Sequence, residues 1–417
     1  MERVVERAAG LDVHTKTVAA CVRVPTETGE RTQHIQTFDA TTAGLLALRD
    51  WLLSHGVTHV AMESTGVYWK PVYYLLEDAF TCVLVNAAHI KQVPGRKTDV
   101  LDCAWIAQLL EHGLLRGSFV PPPPLRDLRD LTRYRQTLLE DRTRQVNRLH
   151  KVLQEAGIKL ASVASDVLGV SGRAMLAALV GGTTDPTALA DLARGRLRTK
   201  RPALQEALRG RFRAHHAQLL THLLAHIDYL DDTVTALSTA IEEQMRPFAE
   251  AIHRLDQVPG LNQRTLERVL AEIGVDMTVF PTAGQRASWS GLCPGNDESA
   301  GKRRSGRTRK GNRALRSALI RAAWAATRAE GSPFAARYRR LRHRGHKKAV
   351  VAVAHALLRV IYHMLASGTH YRDVGADYFD RRHIERAARR AIRVLEGQGY
   401  RVLLQPAASL VRGGSFF

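Results

Sequence analysis

The sequence is poor in cysteine and aromatic residues and has no long apolar run. Only 4 of its 417 residues are cysteine, and they show no CxxC pair or zinc-ligand spacing. This argues against a disulfide framework and a structural zinc site, and it fits unpaired thiols in a reducing cytoplasm. No apolar run approaches the ~20 residues of a membrane span, and the start MERVVERAAG is not typical of a signal peptide. We therefore expect a cytoplasmic protein that does not bind membranes.

Acidic side chains are scarce in the last third of the chain. Residues 286–417 carry 28 basic and 8 acidic side chains, whereas residues 1–120 carry 11 and 13, and residues 121–285 carry 22 and 19. Almost all of the net charge of +21 therefore lies in the last third. Such a charge excess indicates a region that binds a polyanion, nucleic acid before membrane, and predicts association with the nucleoid.

The first 120 residues alternate between strand and helix patterns. Strands are predicted at residues 4–11, Thr17–Val24 and His34–Phe38, followed by a helix at Thr42–His55. The further predicted elements are a strand at Val57–Met62, a helix at Val67–Ala79, a strand at Thr81–Val85 and a helix that begins near Thr98. Three strands followed by alternating helix and strand predict a ribonuclease-H-like α/β fold.

Four acids stand at favourable places in this pattern. Asp12 and Glu63 follow predicted strands, and functional groups of open α/β sheets gather at the carboxyl ends of strands. Asp99 and Asp102 are three residues apart, so a helix would place them on one face. Taken singly, each acid is as well explained by a turn or a solvated surface. Together they could hold one or two Mg²⁺ ions for phosphoryl transfer.

The middle of the chain is predicted to be helical. Four prolines at residues 121–124 predict a domain boundary, and a long helix is expected at Leu125–Ala156. A second long helix, His216–Met245, carries apolar residues in alternating steps of three and four, which is a heptad seam. This pattern fits a pair of helices packed within one chain and a dimeric coiled coil equally well.

Two stretches after residue 250 suggest phosphate contacts. Leu255–Ile273 has the Pro-Gly turn of a helix-hairpin-helix, which would aim the backbone around Gly260 at a phosphate, although an ordinary helix pair in a core has a similar pattern. Ser299 lies in a predicted loop of small residues, Ser299-Ala300-Gly301, ahead of a basic segment. A hydroxyl among arginines could attack a phosphodiester, with Ser305 and Ser290 as rival candidates. The basic residues of this segment are Lys302, Arg303, Arg304, Arg307, Arg309, Lys310, Arg313 and Arg316.

Several motifs in order along the chain resemble the DEDD-type insertion-sequence transposases. They are GLDVHTKT around Asp12, ESTGVYW from Glu63, GRKTDVLDCAWIAQLL around Asp99 and Asp102, and then VPGL, SWSGLCP, SAGK and KGNRALR. One departure is that the family often has Ser-Gly-Gly where this chain has Ser299-Ala300-Gly301.

The resemblance implies a fold and a division of the chain. It implies a RuvC-like metal-dependent domain at residues 1–120 and a helical coiled-coil dimerisation region at 121–250. A mostly α-helical transposase domain that bears the serine would occupy 251–370. A basic extension would follow at 371–417, which we interpret as an amphipathic helix on nucleic acid.

The resemblance also implies a function. Asp12, Glu63, Asp99 and Asp102 would be the acidic tetrad that holds Mg²⁺, and Ser299 would become covalently linked to DNA. The expected partners are donor and target DNA, a structured bridge RNA as guide, and further copies of the chain in a dimer or tetramer. From the residues, two other functions stay open: a structure-selective nuclease of the Holliday-junction-resolvase type, and a scaffold that binds nucleic acid without catalysis.

Overall fold

A computed structural model of the chain describes residues 3–26, 30–86, 102–295, 297–308 and 310–403. Two compact units make up the chain, Met1–Val120 and Pro121–Phe417. The first unit is a mixed α/β structure and the second is mostly helical. The elements of the first unit are β1 (Ala8–Val13), β2 (Thr17–Pro25), β3 (Arg31–Asp39), α1 (Thr42–Ser54), β4 (His59–Glu63), α2 (Trp69–Leu76), β5 (Thr81–Val85) and α3 (Asp102–Glu111).

The first unit is built around one five-stranded sheet with the order β3-β2-β1-β4-β5. The pairs β1–β2 and β2–β3 are antiparallel, whereas β1–β4 and β4–β5 are parallel. An antiparallel meander extended by parallel strands through helical crossovers is consistent with the predicted ribonuclease-H-like fold.

The two faces of this sheet are covered by different helices. One face packs Leu11 and Met62 into a core with apolar residues of α1 and α2. The other face packs Ala8 and Ala61 against α3, through residues such as Ile106. Because successive side chains of a strand point to opposite faces, each strand position is assigned to one of these two layers.

Several predicted boundaries in the first unit were wrong, among them those of the third strand, which is Arg31–Asp39, and the fourth, which is His59–Glu63. The first strand begins at Ala8 rather than at residue 4, since the backbone N–H groups of Val4 and Val5 bond to the carbonyl of Glu111 and not to a neighbouring strand. Asp12 consequently lies inside β1 rather than after it. The second helix is shorter than predicted, Trp69–Leu76 instead of Val67–Ala79. The predicted strand Thr81–Val85 is confirmed.

The second unit contains twelve labelled helices and one hairpin within its described part. They are α4 (Pro123–Glu155), α5 (Val170–Val180), α6 (Pro186–Asp191), α7 (Arg201–Ala207), α8 (Ala214–Gln244), α9 (Ala249–Leu255), α10 (Gln263–Ile273), α11 (Ala283–Trp289), β6 (Asp297–Ser299), β7 (Lys302–Ser305), α12 (Arg313–Ala326), α13 (Pro333–Leu341), α14 (His346–Ser367) and α15 (Tyr378–Gly397). Short 3₁₀ turns occur at Leu160–Ser162, Gly195–Lys200, Arg246–Phe248 and Arg342–Arg344.

The two long helices of the second unit, α4 and α8, pack on each other within the chain. Leu138 of α4 contacts Leu230 and Val234 of the α8 heptad seam. Further along, Leu149 packs with Leu220 and Ile227 in a larger core. The heptad seam therefore packs within the chain as one helix pair, and a dimeric coiled coil stays a prediction.

Helix α14 forms the centre of the remaining core. It is long and apolar enough to cross a membrane by length and composition, so the expectation that no segment reaches that length was wrong. Eight of its residues are buried, from Ala349 to Met364, and the helix packs mainly against α11, α12 and α13. This is the pattern of a core helix, in which apolar side chains face neighbouring helices.

Candidate active site

Asp12 and Glu63 occupy neighbouring positions on the two parallel strands in the middle of the sheet. Leu11 of β1 pairs in register with Met62 of β4, and both side chains lie in the core beneath α1 and α2. The next residue on each strand points to the opposite face. The side chains of Asp12 and Glu63 therefore project side by side toward the layer that contains α3, and both are partly exposed.

Helix α3 brings Asp102 to the same face. A Cβ atom on Gly10 would lie 2.1 Å from the carbonyl oxygen of Cys103 and 2.3 Å from the backbone nitrogen of Ala107, so α3 passes directly over this glycine. Gly10 and Asp12 are two residues apart and share a face of β1. Asp102 is the first residue of α3.

The carboxylates of Asp12 and Asp102 both influence the pKa of the Cys103 thiol. Burial raises its pKa, and the charges of Asp12 and Asp102 raise it further, because a thiolate there would be repelled by both. This electrostatic effect follows from the position of the two acids around the start of α3. Asp99 and Thr98, near which this helix was predicted to begin, lie outside the described residues.

The carboxylates of Asp12, Glu63 and Asp102 are potential metal ligands. They offer hard oxygen ligands, which is the class that Mg²⁺ prefers. Within the described ranges, no three His, Cys, Asp or Glu side chains lie close enough together to hold a metal ion. Oδ2 of Asp12 instead contacts Nε2 of the exposed His14 at 3.1 Å. The chemistry of the donors fits a divalent metal.

Ser299 lies at the end of a strand rather than in the loop predicted from the sequence. It is the last residue of β6 and pairs with Lys302, the first residue of β7. The two residues between them, Ala300 and Gly301, have φ values of 49° and 73°. Two central residues with positive φ define a type I′ hairpin turn, whose twist matches that of the strands it joins. The Ser-Ala-Gly sequence therefore makes a tight two-residue hairpin.

The base of this hairpin is held by the motifs on either side of it. The N–H of Gly295 donates to the carbonyl of Arg307 at 2.7 Å, which continues the ladder below the two strands. A Cβ atom on Gly311 would lie 2.3 Å from the backbone nitrogen of Gly291, so the two segments approach within backbone contact. The N–H of Asn312 also donates to the carbonyl of Trp289. The motifs SWSGLCP and KGNRALR thus pack against each other and support the hairpin.

Asn312 connects this support to the helical core. Its side-chain oxygen accepts a hydrogen bond from the N–H of Leu315 at 3.0 Å, which caps α12, and its amide nitrogen donates to Glu272 at 2.6 Å. Glu272 is buried and also accepts bonds from Arg133 on α4 at 2.7 and 2.9 Å. Sequence analysis missed Glu272 and the role of Asn312. The only available signal was an Asn placed immediately before a helical pattern.

The structure distinguishes between the rival serines. Ser290 is fully buried and its hydroxyl donates to the carbonyl of Ala287 at 2.8 Å, so it has no access to a substrate in this conformation. Ser305 is partly exposed, and its hydroxyl accepts a hydrogen bond from the N–H of Arg307 at 3.2 Å. Ser305 therefore stays a rival to Ser299.

Most of the predicted phosphate-binding residues lie around the hairpin. Lys302, Arg307, Lys310 and Arg313 are exposed. Arg303 and Arg304 belong to β7, and Arg309 lies outside the described residues. We call the four exposed residues, Lys302, Arg307, Lys310 and Arg313, the cationic rim of the hairpin. Such a group of positive charges is suited to binding the phosphate backbone of a nucleic acid strand.

Gly260 has a different environment from the one predicted for a helix-hairpin-helix. Its φ is 88°, and a Cβ atom there would lie 2.5 Å from the carbonyl oxygen of Ala322 and 2.6 Å from the nitrogen of Ala326. The Pro-Gly turn between α9 and α10 is thus pressed against α12, so the glycine serves close packing. A phosphate contact at this turn stays a prediction.

Comparison with known proteins covers both units. Residues 9–158 match a family model for the DEDD transposase of IS110, described as "Transposase", and residues 252–339 match the "Transposase IS116/IS110/IS902 family". A Streptomyces coelicolor protein named "Insertion element IS110 uncharacterized 43.6 kDa protein" is 31% identical over 304 residues, 67% of this chain and 73% of that protein.

A more distant relative shows the same extent of similarity. The transposase for insertion sequence element IS1111A from Coxiella burnetii is 24% identical over 298 residues, 69% of this chain and 72% of its own length. Both family matches fall in the order along the chain in which the acids and the serine hairpin occur. The chain is therefore a member of the IS110 family of transposases.

Proposed function

We propose that this transposase cuts and rejoins DNA with a divalent metal at Asp12, Glu63, Asp99 and Asp102 and with Ser299 as the nucleophile. The observation that carries the acidic half is the side-by-side placement of Asp12 and Glu63 on parallel strands, beneath the start of α3. The observation that carries the other half is the serine at the tip of a hairpin with an exposed cationic rim.

The acids have the role of holding Mg²⁺. When bound, the ion would neutralise charge on a DNA phosphate as it passes through the transition state. His14 now contacts Asp12 and has to release that carboxylate before a cation can take its place. The exposed imidazole is free to swing into solvent, so the exchange needs no movement of the sheet.

Ser299 has the role of conserving the energy of the phosphodiester. Its hydroxyl oxygen attacks phosphorus, the hydroxyl proton is lost, and a serine–phosphate ester forms. The bond between phosphorus and one sugar oxygen breaks, and that oxygen takes up a proton. Attack by a sugar hydroxyl of a second strand then reverses the step and restores the free serine. Cationic side chains around the hairpin would stabilise the charge on the phosphate oxygens.

The assembly proposed around this chemistry rests on the family resemblance. It includes further copies of the chain, so that the acids of one subunit act with the serine of another, and a structured bridge RNA that selects the DNA. Membership of a transposase family makes the two alternatives, a resolvase-type nuclease and a non-catalytic scaffold, less favoured.

A covalent adduct is the distinguishing experiment. The purified chain, with any nucleic acid that accompanies it, is incubated with Mg²⁺ and DNA that carries the ends of its element, and denatured. We expect a protein–DNA adduct that disappears in Ser299→Ala and persists in Ser305→Ala, whereas Asp12→Asn loses strand cleavage altogether. Cleaved DNA without an adduct would indicate attack by water, and an adduct that survives in Ser299→Ala would move the role to another serine. Sequencing the accompanying nucleic acid tests for a guide RNA.

A further inference from the structure

A cavity of about 900 Å³ opens in the second unit beside the base of the serine hairpin. Its walls come from the segment after β7, from α12, from α13 and from the start of α14. The volume lies within the range of about 300–1,000 Å³ that is typical of pockets for small organic ligands. The family matches and the proposed chemistry assign nothing to it.

The polar lining of this cavity is entirely cationic or neutral. Its charged residues are Arg307, Arg316, Arg337, Lys347 and Lys348, and no acid contributes to the wall. Four of them, all except Arg337, form no ion pair with any carboxylate in the described part of the chain. In contrast, Arg133 and Arg135 of α4 form ion pairs with Glu272 and Glu267, respectively. Among the described residues, these four cations of the cavity have no carboxylate partner.

The ionisation of neighbouring groups agrees with this excess of positive charge. Burial lowers the pKa of His355, and the charges of Arg337 and Arg359 lower it further, so its imidazole is neutral at pH 7. Burial also lowers the pKa of Arg337, with smaller effects from Arg340 and Arg359. A bound anion would reverse these repulsions, because it favours every protonated group around it.

Part of the wall is apolar, which favours an anionic ligand that also has an apolar part. Leu292 is buried, and Val351 and Ala352 are partly buried, and all three line the cavity. Inorganic phosphate would leave these surfaces in contact with water. A nucleotide has both parts that the cavity matches, since its phosphate suits the cations and its flat base suits the apolar wall.

The cavity is close to the proposed nucleophile along the chain. Gly306, Arg307 and Thr308 line it and directly follow β7, and Thr308 forms a bridge with Pro294 at the foot of the hairpin. Ser299 is five positions after Pro294, a reach of at most roughly 17 Å in extended chain. The wall of the cavity at Pro294 is therefore within roughly 17 Å of the serine, and a short stretch of one DNA strand is long enough to contact both.

We propose that this cavity holds one DNA nucleotide turned out of the double helix next to the site of strand cleavage. The phosphate lies on Arg316, Lys347 and Lys348, and the base lies against the apolar wall. The inference rests on the proposed function and adds to it a site that positions the strand. Removing a base from the stack costs least when that base is already unpaired.

Binding of a bulged duplex tests this site without catalysis. The probe is a fluorescent DNA duplex with one unpaired nucleotide, compared with the same duplex without it, and all proteins carry Ser299→Ala so that no covalent link contributes. We expect roughly tenfold tighter binding of the bulged duplex, equivalent to about 1.4 kcal/mol. Ala352→Trp should fill the cavity and remove this preference, whereas Ala325→Trp, an exposed position on α12, should keep it.

A charge reversal tests the cationic part in the same assay. Arg316→Glu should weaken binding of the bulged duplex more than Arg328→Glu, which makes the same change at an exposed position near the end of α12 outside the cavity. Equal affinity for the two duplexes, or a preference that survives Ala352→Trp in a folded protein, would overturn the proposal. Tighter binding of a bulged RNA duplex would overturn the assignment to DNA. Failure of the covalent adduct would leave this binding preference intact, so the two proposals fail separately.

Discussion

The first unit carries its carboxylates on a five-stranded sheet, whereas the second unit carries its serine on a two-residue hairpin turn. Both arrangements depend on a glycine at which backbone meets backbone, Gly10 beneath α3 and Gly311 against Gly291. The surroundings differ, because Gly10 is fully buried between β1 and α3, whereas Gly311 is exposed at the foot of the hairpin. A change at Gly10 should therefore affect folding of the first unit, and changes at the hairpin should mainly affect local geometry.

The largest effect is expected from Gly10→Ala. The added methyl would lie 2.1 Å from the backbone oxygen of Cys103, which cannot move without shifting α3. We expect a loss of roughly 3 kcal/mol in the free energy of unfolding, at the upper end of the range for overpacking. Gly117→Ala is the matched control in the same unit, because its methyl would meet only Cγ1 of Val83 at 3.5 Å. Thermal unfolding measures both, and equal midpoints would contradict the close approach of α3.

A smaller effect is expected from Glu272→Ala in the second unit. Glu272 is buried and joins Arg133 of α4 to Asn312 at the foot of the hairpin. Removing the acid leaves the guanidinium group of Arg133 without its carboxylate, which lowers the free energy of unfolding by about 3 kcal/mol when such a pair is buried. The Arg133 side chain is partly exposed, so solvent screens its charge and the loss should be smaller than this.

The control for this change is an exposed pair. Glu140→Ala removes a contact at 3.7 Å with Arg321, in which both side chains are more than half exposed, and should cost less than about 1 kcal/mol. Urea unfolding of the two variants gives the difference. Similar midpoints would show that Glu272 adds no more to stability than a surface acid.

The same contrast explains what the sequence could predict. Alternating apolar residues predicted the strands of the first unit, and acids at strand ends pointed to Asp12 and Glu63, because strand periodicity alone assigns each side chain to a face. Periodicity carries no information about contacts between distant segments. The bond between Glu272 and Asn312 joins residues 40 apart, and the close approach of Gly311 to Gly291 depends on backbone geometry.

Two other features were ambiguous for physical reasons. The heptad seam of α8 has the same spacing whether its partner is α4 or a second chain, so the spacing could not show that α4 packs on it within the chain. The hairpin was missed because Ala-Gly is a weak signal for a type I′ turn, which favours Asn-Gly or Gly-Gly.

The smallest effect is expected at that turn, from Ala300→Gly. Alanine at a φ of 49° lies in the left-handed region, which costs an L-residue roughly 1–2 kcal/mol, and glycine removes this cost. Glycine has more conformational freedom in the unfolded chain, which stabilises the unfolded state by about 0.4–1 kcal/mol and offsets part of this gain. A net stabilisation of the hairpin by about 0.5–1 kcal/mol is therefore expected. Gly301→Ala places alanine at a φ of 73° and should have the opposite sign. Amide hydrogen exchange of β6 and β7 measures both, and faster exchange in Ala300→Gly would mean that the turn beside Ser299 is not strained.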